Sequence, residues 1–302
     1  MTGSSVATPP AGPVAGPAGT VRPGRDLCGL VLLACGTSAL GAALRLTSWA
    51  GAPWPPISAD VQGGLYAVAG AVAGVWLMRR VSARPAGSAA GYGAAALTAA
   101  VSGARVLATV LDHKALEAIS LAAFTALLCW LVVELGRPYL PEGKRALSGH
   151  ARETVLTTAL FLALCVAAWI TVQARTPVRT VVGQTAPWAL PPLPPKPLAD
   201  LDDRLHYDAY CLFTSVIEEL VLVGAVVVLG RAAGWGLPAI AAVSLGARLA
   251  IHLHYGAAAI TMIILGAVAL GLFLRYRRIE PLVAAHMTFD LMAPLMVARG
   301  WL

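Results

Sequence analysis

Long apolar runs separated by short charged or turn-forming clusters make up most of this chain. The runs fall at about 27–44, 62–78, 89–111, 116–135, 154–173, 209–230, 238–255, 257–274 and 281–298. Each is close to the ~20 residues that an α-helix needs to cross a bilayer. The breaks are Trp49 to Pro56 and the segments MRRVSARP, DHK, GRPYLPEGKR, RAAGWGLP and RYRRIEP. This pattern predicts an all-α, polytopic transmembrane helix bundle of eight or nine helices. Residues 1–25 hold five prolines and no apolar core, which predicts a disordered tail and not a signal peptide. Residues 174–207 carry seven prolines and both charge signs, which predicts an extended external loop. That loop would divide a five-helix N-terminal region at 26–173 from four C-terminal helices at 208–302.

Composition agrees with the pattern. The 302 residues are 58% hydrophobic and 12% charged, about half the charge that a soluble domain carries (~25%). The net charge of +7 does not imply a nucleic-acid partner, because Lys and Arg gather in the cytoplasmic loops of membrane proteins. With the N-terminus inside, 13 of the 22 Lys and Arg residues fall in cytoplasmic segments and seven outside. The bias predicts a cytoplasmic N-terminus and, if the source is bacterial, residence in the inner membrane. Five cysteines without Cys-x-x-Cys spacing signal neither a disulfide framework nor a thiolate zinc site. The small-xxx-small match Gly70 to Gly74 predicts close packing between helices of the same chain.

Ionisable groups at bilayer depth cost several kcal/mol unless paired or hydrated, so they mark candidate chemistry. The first five spans contain little: Arg105 as a structural partner, with Glu117 and Glu134 near helix ends and within reach of the interface. The last four hold Glu218, Glu219, Arg248, His252, His254, His286 and Asp290. Adjacent carboxylates such as Glu218 and Glu219 resist being ionised together at low dielectric, which suits one of them to general acid–base work. His286 and Asp290 stand at i and i+4, on one helix face, as do Arg248 and His252. On a continuous helix His252 and His254 would lie roughly 200° apart. Only one of them, His252, is then expected at a shared site, with His254 capping the helix end beside Tyr255 and Gly256.

Three segments, EELVLVG (218–224), ARLAIHLHYG (247–256) and PLVAAHMTFD (281–290), resemble the ordered motifs of the CPBP intramembrane proteases. This family includes CAAX prenyl endopeptidases and bacteriocin-processing, Abi-type proteins. The family pattern is Glu-Glu-x-x-x-Arg, Phe-x-x-x-His, then His-x-x-x-Asn or Asp. Val223 occupies the Arg position of the first motif and Arg248 the Phe position of the second. The displacement suggests that Arg248 replaces the missing cation by pairing with Glu219.

The resemblance implies a C-terminal four-helix catalytic core and hydrolysis of a peptide bond in a membrane-associated protein or peptide. Glu218, assisted by His252, would activate water, and Glu219 would hold neighbouring hydrogen bonds. His286 with Asp290 would steady the oxyanion or a metal, with Arg248 in support. The resemblance is compatible with a Zn2+ ion held by His252, His286, Asp290 and Glu218, and equally with metal-free chemistry. An ionised Asp290 only accepts hydrogen bonds, so it would orient His286 or ligate zinc and would not donate to an oxyanion. Zincin, rhomboid and paired-aspartate mechanisms lack their residues here. A proton- or ion-coupled transporter and a catalytically silent scaffold are the readings from other classes. Counted from the cytoplasmic ends at ~1.5 Å per residue, Glu218 lies about 18 Å deep, His252 about 21 Å, and His286 and Asp290 about 8 to 14 Å. That leaves a gap of about 10 Å between motifs for helix tilt to close.

Overall fold

The computed structural model describes residues 22–49, 59–82, 87–111, 113–139, 150–185 and 201–298, and among them it contains helices and no strand. In chain order the helices are α1 (Pro23–Trp49), α2 (Ala59–Ser82), α3 (Gly87–Leu111), α4 (Lys114–Gly136), α5 (His150–Thr185), α6 (Leu201–Ser215), α7 (Val226–Ala232), α8 (Leu237–Ile251), α9 (Met262–Tyr276) and α10 (Glu280–Ala298). A π-helical stretch (Val216–Ala225) joins α6 to α7 without a break, and a 3-10 stretch (Leu253–Thr261) joins α8 to α9. All nine predicted apolar runs therefore lie within helical segments. Four described stretches are long and apolar enough to cross a membrane: Lys114–Tyr139, Glu153–Gln184, Arg204–Ala232 and Leu253–Tyr276. The chain is an integral, all-helical membrane protein.

Two boundaries differ from the sequence reading. The connection read as an external loop is shorter than 174–207, because α5 continues to Thr185 and α6 begins at Leu201. Hydropathy marks where a helix leaves the hydrocarbon, and polar residues such as Arg175, Arg179 and Gln184 extend α5 beyond that point. Likewise α1 starts at Pro23, inside the stretch read as tail. A first-turn proline has no N–H to lose and a backbone angle already suited to a helix. The remainder of the tail, the Trp49 to Pro56 connection beyond Trp49, and most of the GRPYLPEGKR segment lie outside the described residues.

The helices share one apolar core. It runs from Leu27, Leu30 and Leu77 through Phe124, Leu128 and Leu164 to Phe213, Leu222, Val226 and Phe289, so the N-terminal and C-terminal regions pack as one body. In lipid, close fit holds helices together more than apolar burial does. Gly70 and Gly74 of α2 show it, facing Val101 and Thr98 of α3 so closely that neither site has room for a Cβ. The expected small-xxx-small packing is thus intramolecular, between α2 and α3.

Ion pairs collect at the two ends of the bundle. One end joins Asp26 to Arg80 (2.6 Å) and Arg278 to Glu153 (2.9 Å), with Arg278 also donating to Thr157 (3.1 Å). The other joins Arg105 to Glu117 (2.9 Å), with His206 Nδ1 at 3.4 Å from the same carboxylate. Arg105 is therefore a structural partner, as its sequence context suggests. Glu134 departs from expectation: it is buried at 7% exposure. The C-terminal end of α4 packs against α7, with Gly136 beside Val228, so that end does not face water.

Candidate active site

The first element of the site is the π-helical stretch. In the last turn of α6, Ser215 Oγ donates to the Cys211 carbonyl (2.7 Å) and Thr214 Oγ1 to the carbonyls of Tyr210 (3.0 Å) and Cys211 (3.1 Å). Such hydroxyls compete for the carbonyls of the helical ladder and bend helices. Directly after them the helix widens to i→i+5 bonding, a rare form that is frequent at functional sites. Glu218 and Glu219 sit in this stretch at 2% and 0% exposure.

Arg248, from the last turn of α8, faces both carboxylates. Its Nη2 donates to Glu219 Oε1 (2.8 Å) and to the Glu218 carbonyl (2.8 Å), and its Nη1 lies 3.1 Å from Glu218 Oε2. The last contact is an ion pair whose angles fall short of a hydrogen bond. The guanidinium is wholly buried. Space for it exists because residue 266 on α9 is glycine, where a Cβ would come within 2.8 Å of Arg248 Cδ. The pairing of Arg248 with Glu219 suggested by the sequence is thus present, and it extends to Glu218.

His252 stands where α8 ends. Its Nδ1 donates to the Arg248 carbonyl (2.9 Å); since a carbonyl only accepts, the proton is on Nδ1, and Nε2 faces Glu218 Oε1 at 3.3 Å. The expectation that His254 points to the opposite side does not hold. The α-helix stops at Ile251 and the following 3-10 stretch is kinked at Gly256 (φ 64°, ψ −144°), a conformation only glycine adopts without strain. The 100° step per residue therefore no longer applies. The His252 and His254 rings stack 5.8 Å apart, while His254 Nδ1 donates to the Ile251 carbonyl (3.0 Å) as a helix-end cap.

From α10, His286 donates through Nδ1 to Glu219 Oε1 (2.8 Å) and turns Nε2 toward Asp290 Oδ2 at 3.5 Å. Asp290 is also approached by Thr214 Oγ1 (3.5 Å), and its carbonyl accepts from Tyr207 Oη (2.7 Å). All five predicted polar side chains and Arg248 thus form one connected network. The gap of about 10 Å counted along straight, parallel helices is closed by packing of α10 against α6 and the π stretch.

Beside Glu218 and His252 lies a cavity of about 30 Å³, lined by Ala34, Ser38, Tyr210, Phe213, Thr214, Ile217, Glu218, Ile251, His252 and His254. That volume has room for about two waters, at roughly 10–15 Å³ each. Sequence motifs missed most of this wall: Ala34 and Ser38 are ordinary small residues of α1, and Tyr210, Phe213 and Thr214 lie ahead of the first motif. No spacing rule singles them out.

The donors do not fit a resident metal. Among the described residues no three His, Cys, Asp or Glu side chains converge as a cation site. Both nitrogens of His286 face carboxylates, and the guanidinium of Arg248 already sits between Glu218 and Glu219, where a second cation would be repelled.

Residues 205–292 match the family model described as Type II CAAX prenyl endopeptidase Rce1-like. The matched segment contains the π stretch, Arg248, both histidines of the network and Asp290, in agreement with the motif resemblance. No curated protein and no solved structure matches the chain.

Proposed function

We propose that this chain is an intramembrane endopeptidase that hydrolyses a peptide bond of a membrane-associated protein or peptide, using water activated by Glu218 and His252. One observation carries the reading: a buried Glu218 facing a partly buried His252 opens onto a water-sized cavity inside a membrane protein whose C-terminal helices match a CAAX endopeptidase family model. Glu218 Oε1 and His252 Nε2 share the proton taken from the water, so that hydroxide attacks the carbonyl carbon. The same proton then passes to the amine that leaves. Arg248, itself fixed by the Glu218 carbonyl, holds the carboxylates in place, and His286, whose Nε2 lies a loose 3.5 Å from Asp290, is assigned to steady the oxyanion of the tetrahedral intermediate. None of these steps uses a metal.

The end carrying Arg80, Arg278 and the other loop cations is assigned to the cytoplasm by the positive-inside bias, which places the N-terminus inside as well.

The test is cleavage of a membrane-tethered peptide reporter by the wild type and by Glu218→Gln. The expected result is cleavage by the wild type and a loss of at least ~10³-fold in kcat for the variant, the size expected when a general base with no substitute is removed, at equal expression. Cleavage that survives in Glu218→Gln would exclude Glu218 as the base. No cleavage by either protein would favour a transporter or a silent scaffold.

A further inference from the structure

We propose that Arg175, on α5 and outside the 205–292 match, is a positioning residue that fixes the orientation of His252 through an aromatic stack. The inference rests on the hydrolytic reading above and adds to it a residue that none of the motifs contains. His252 occupies the point where the helical hydrogen-bond ladder stops (φ −96°, ψ 2°), and four residues later Gly256 reverses the backbone. The chain after the helix therefore does little to hold the ring. On one side His252 is tied by its Nδ1 to the Arg248 carbonyl and faces Glu218. On the other it meets the Tyr255 ring, 5.6 Å away and inclined by 26°, while Tyr255 and His254 touch at 4.0 Å.

Arg175 completes the stack. Its Cζ lies 4.2 Å from the Tyr255 centroid. Its Nε is buried with no hydrogen-bond acceptor among the described residues, and the guanidinium meets Tyr255. A cation over an aromatic face is attracted by the ring, and both partners here are partly buried. The helix that carries it packs along the 3-10 stretch. Arg175 thus backs the face of Tyr255 from a separate helix, α5. Proton exchange between Glu218 and His252 across 3.3 Å depends on that angle.

The test uses the purified full-length chain in detergent and two independent readouts. In steady-state cleavage, Arg175→Ala is expected to lower kcat roughly tenfold, equivalent to about 1.4 kcal/mol, with KM within about twofold. Arg175→Lys, which keeps a cation over the ring, is expected to restore most of the rate. Tyr255→Leu is expected to match Arg175→Ala, and the double variant to lose no more than either alone. In amide hydrogen exchange, Arg175→Ala is expected to speed exchange in 252–261 and leave 262–276 unchanged. A loss confined to KM, or no rescue by lysine, overturns the inference. If the wild type cleaves, Glu218→Gln does not, and Arg175→Ala changes neither kcat nor exchange, the positioning role fails while the hydrolytic reading stands. If exchange rises as expected but the wild type cleaves nothing, the stack is real and the hydrolytic reading fails.

Discussion

Arg248 shows how a buried charge is tolerated when opposite charges face it. A guanidinium at zero exposure faces two carboxylates and a carbonyl, and removing one partner of such a group leaves an uncompensated buried charge at a cost of about 3–5 kcal/mol. Arg248→Phe alone, which restores the family residue of the second motif, is therefore expected to misfold or to lose most of its thermal stability in detergent. Adding Val223→Arg places a cation at the family position of the first motif. Val223 is fully buried in the same π stretch, so the double variant is expected to recover a folded, heat-resistant protein relative to Arg248→Phe. A double variant no more stable than the single one would show that the two positions do not exchange. The pairing of Arg248 was legible in advance because a missing cation and an added one sit close to the same carboxylates in the motif pattern. Its second contact, to Glu218, was not, because that depends on the widened turn.

At the scale of elements, two departures from regular α-helix build the site, and neither interrupts the hydropathy pattern. The π stretch carries Glu218 and Glu219 through an unbroken apolar run, and the helix end at Ile251 falls inside a stretch that reads as one continuous span. Serine and glycine are the only local hints. Gly256 is the sharper of the two, since its φ of 64° and ψ of −144° are strained for any residue with a Cβ. Gly256→Ala is expected to cost about 1–3 kcal/mol, lowering the unfolding temperature and slowing cleavage more than a substitution on the flanking helices would. A melting temperature within error of the wild type would show that the kink relaxes. The stacking of His254 on His252 follows from the same break, which is why a helical wheel misplaced it.

Over the whole molecule, the N-terminal helices are part of the site and not an appendage to it. Ala34 and Ser38 of α1 line the cavity beside Glu218, and Ala34 is fully buried. Ala34→Leu is expected to fill that cavity, with an overpacking cost of about 1–3 kcal/mol, and to abolish reporter cleavage while the protein still purifies as a folded monodisperse species. Retained cleavage would mean that water reaches Glu218 from elsewhere. The two ends of the bundle give a further check. Single cysteines introduced at Arg204 and at Arg278 are expected to react with a membrane-impermeant thiol reagent from opposite sides, with Arg278 on the cytoplasmic side.

The sequence by itself determined the class of protein, the number and rough limits of its helical segments, and the polar residues that converge. Each of these follows from a one-dimensional quantity. Apolar length sets a span, and the cost of burying ionisable groups makes the few that are buried stand out. Tertiary structure alone decided how those groups meet. It closed the depth mismatch of His286 with Glu218 and Glu219 and put His252 and His254 on one side of a helix end. It also walled the cavity with α1 and brought Arg175 over Tyr255. Those outcomes depend on helix tilt, on a widened turn and on contacts between segments more than 60 residues apart. A pattern read along one helix has no term for the surface that another helix presents to it.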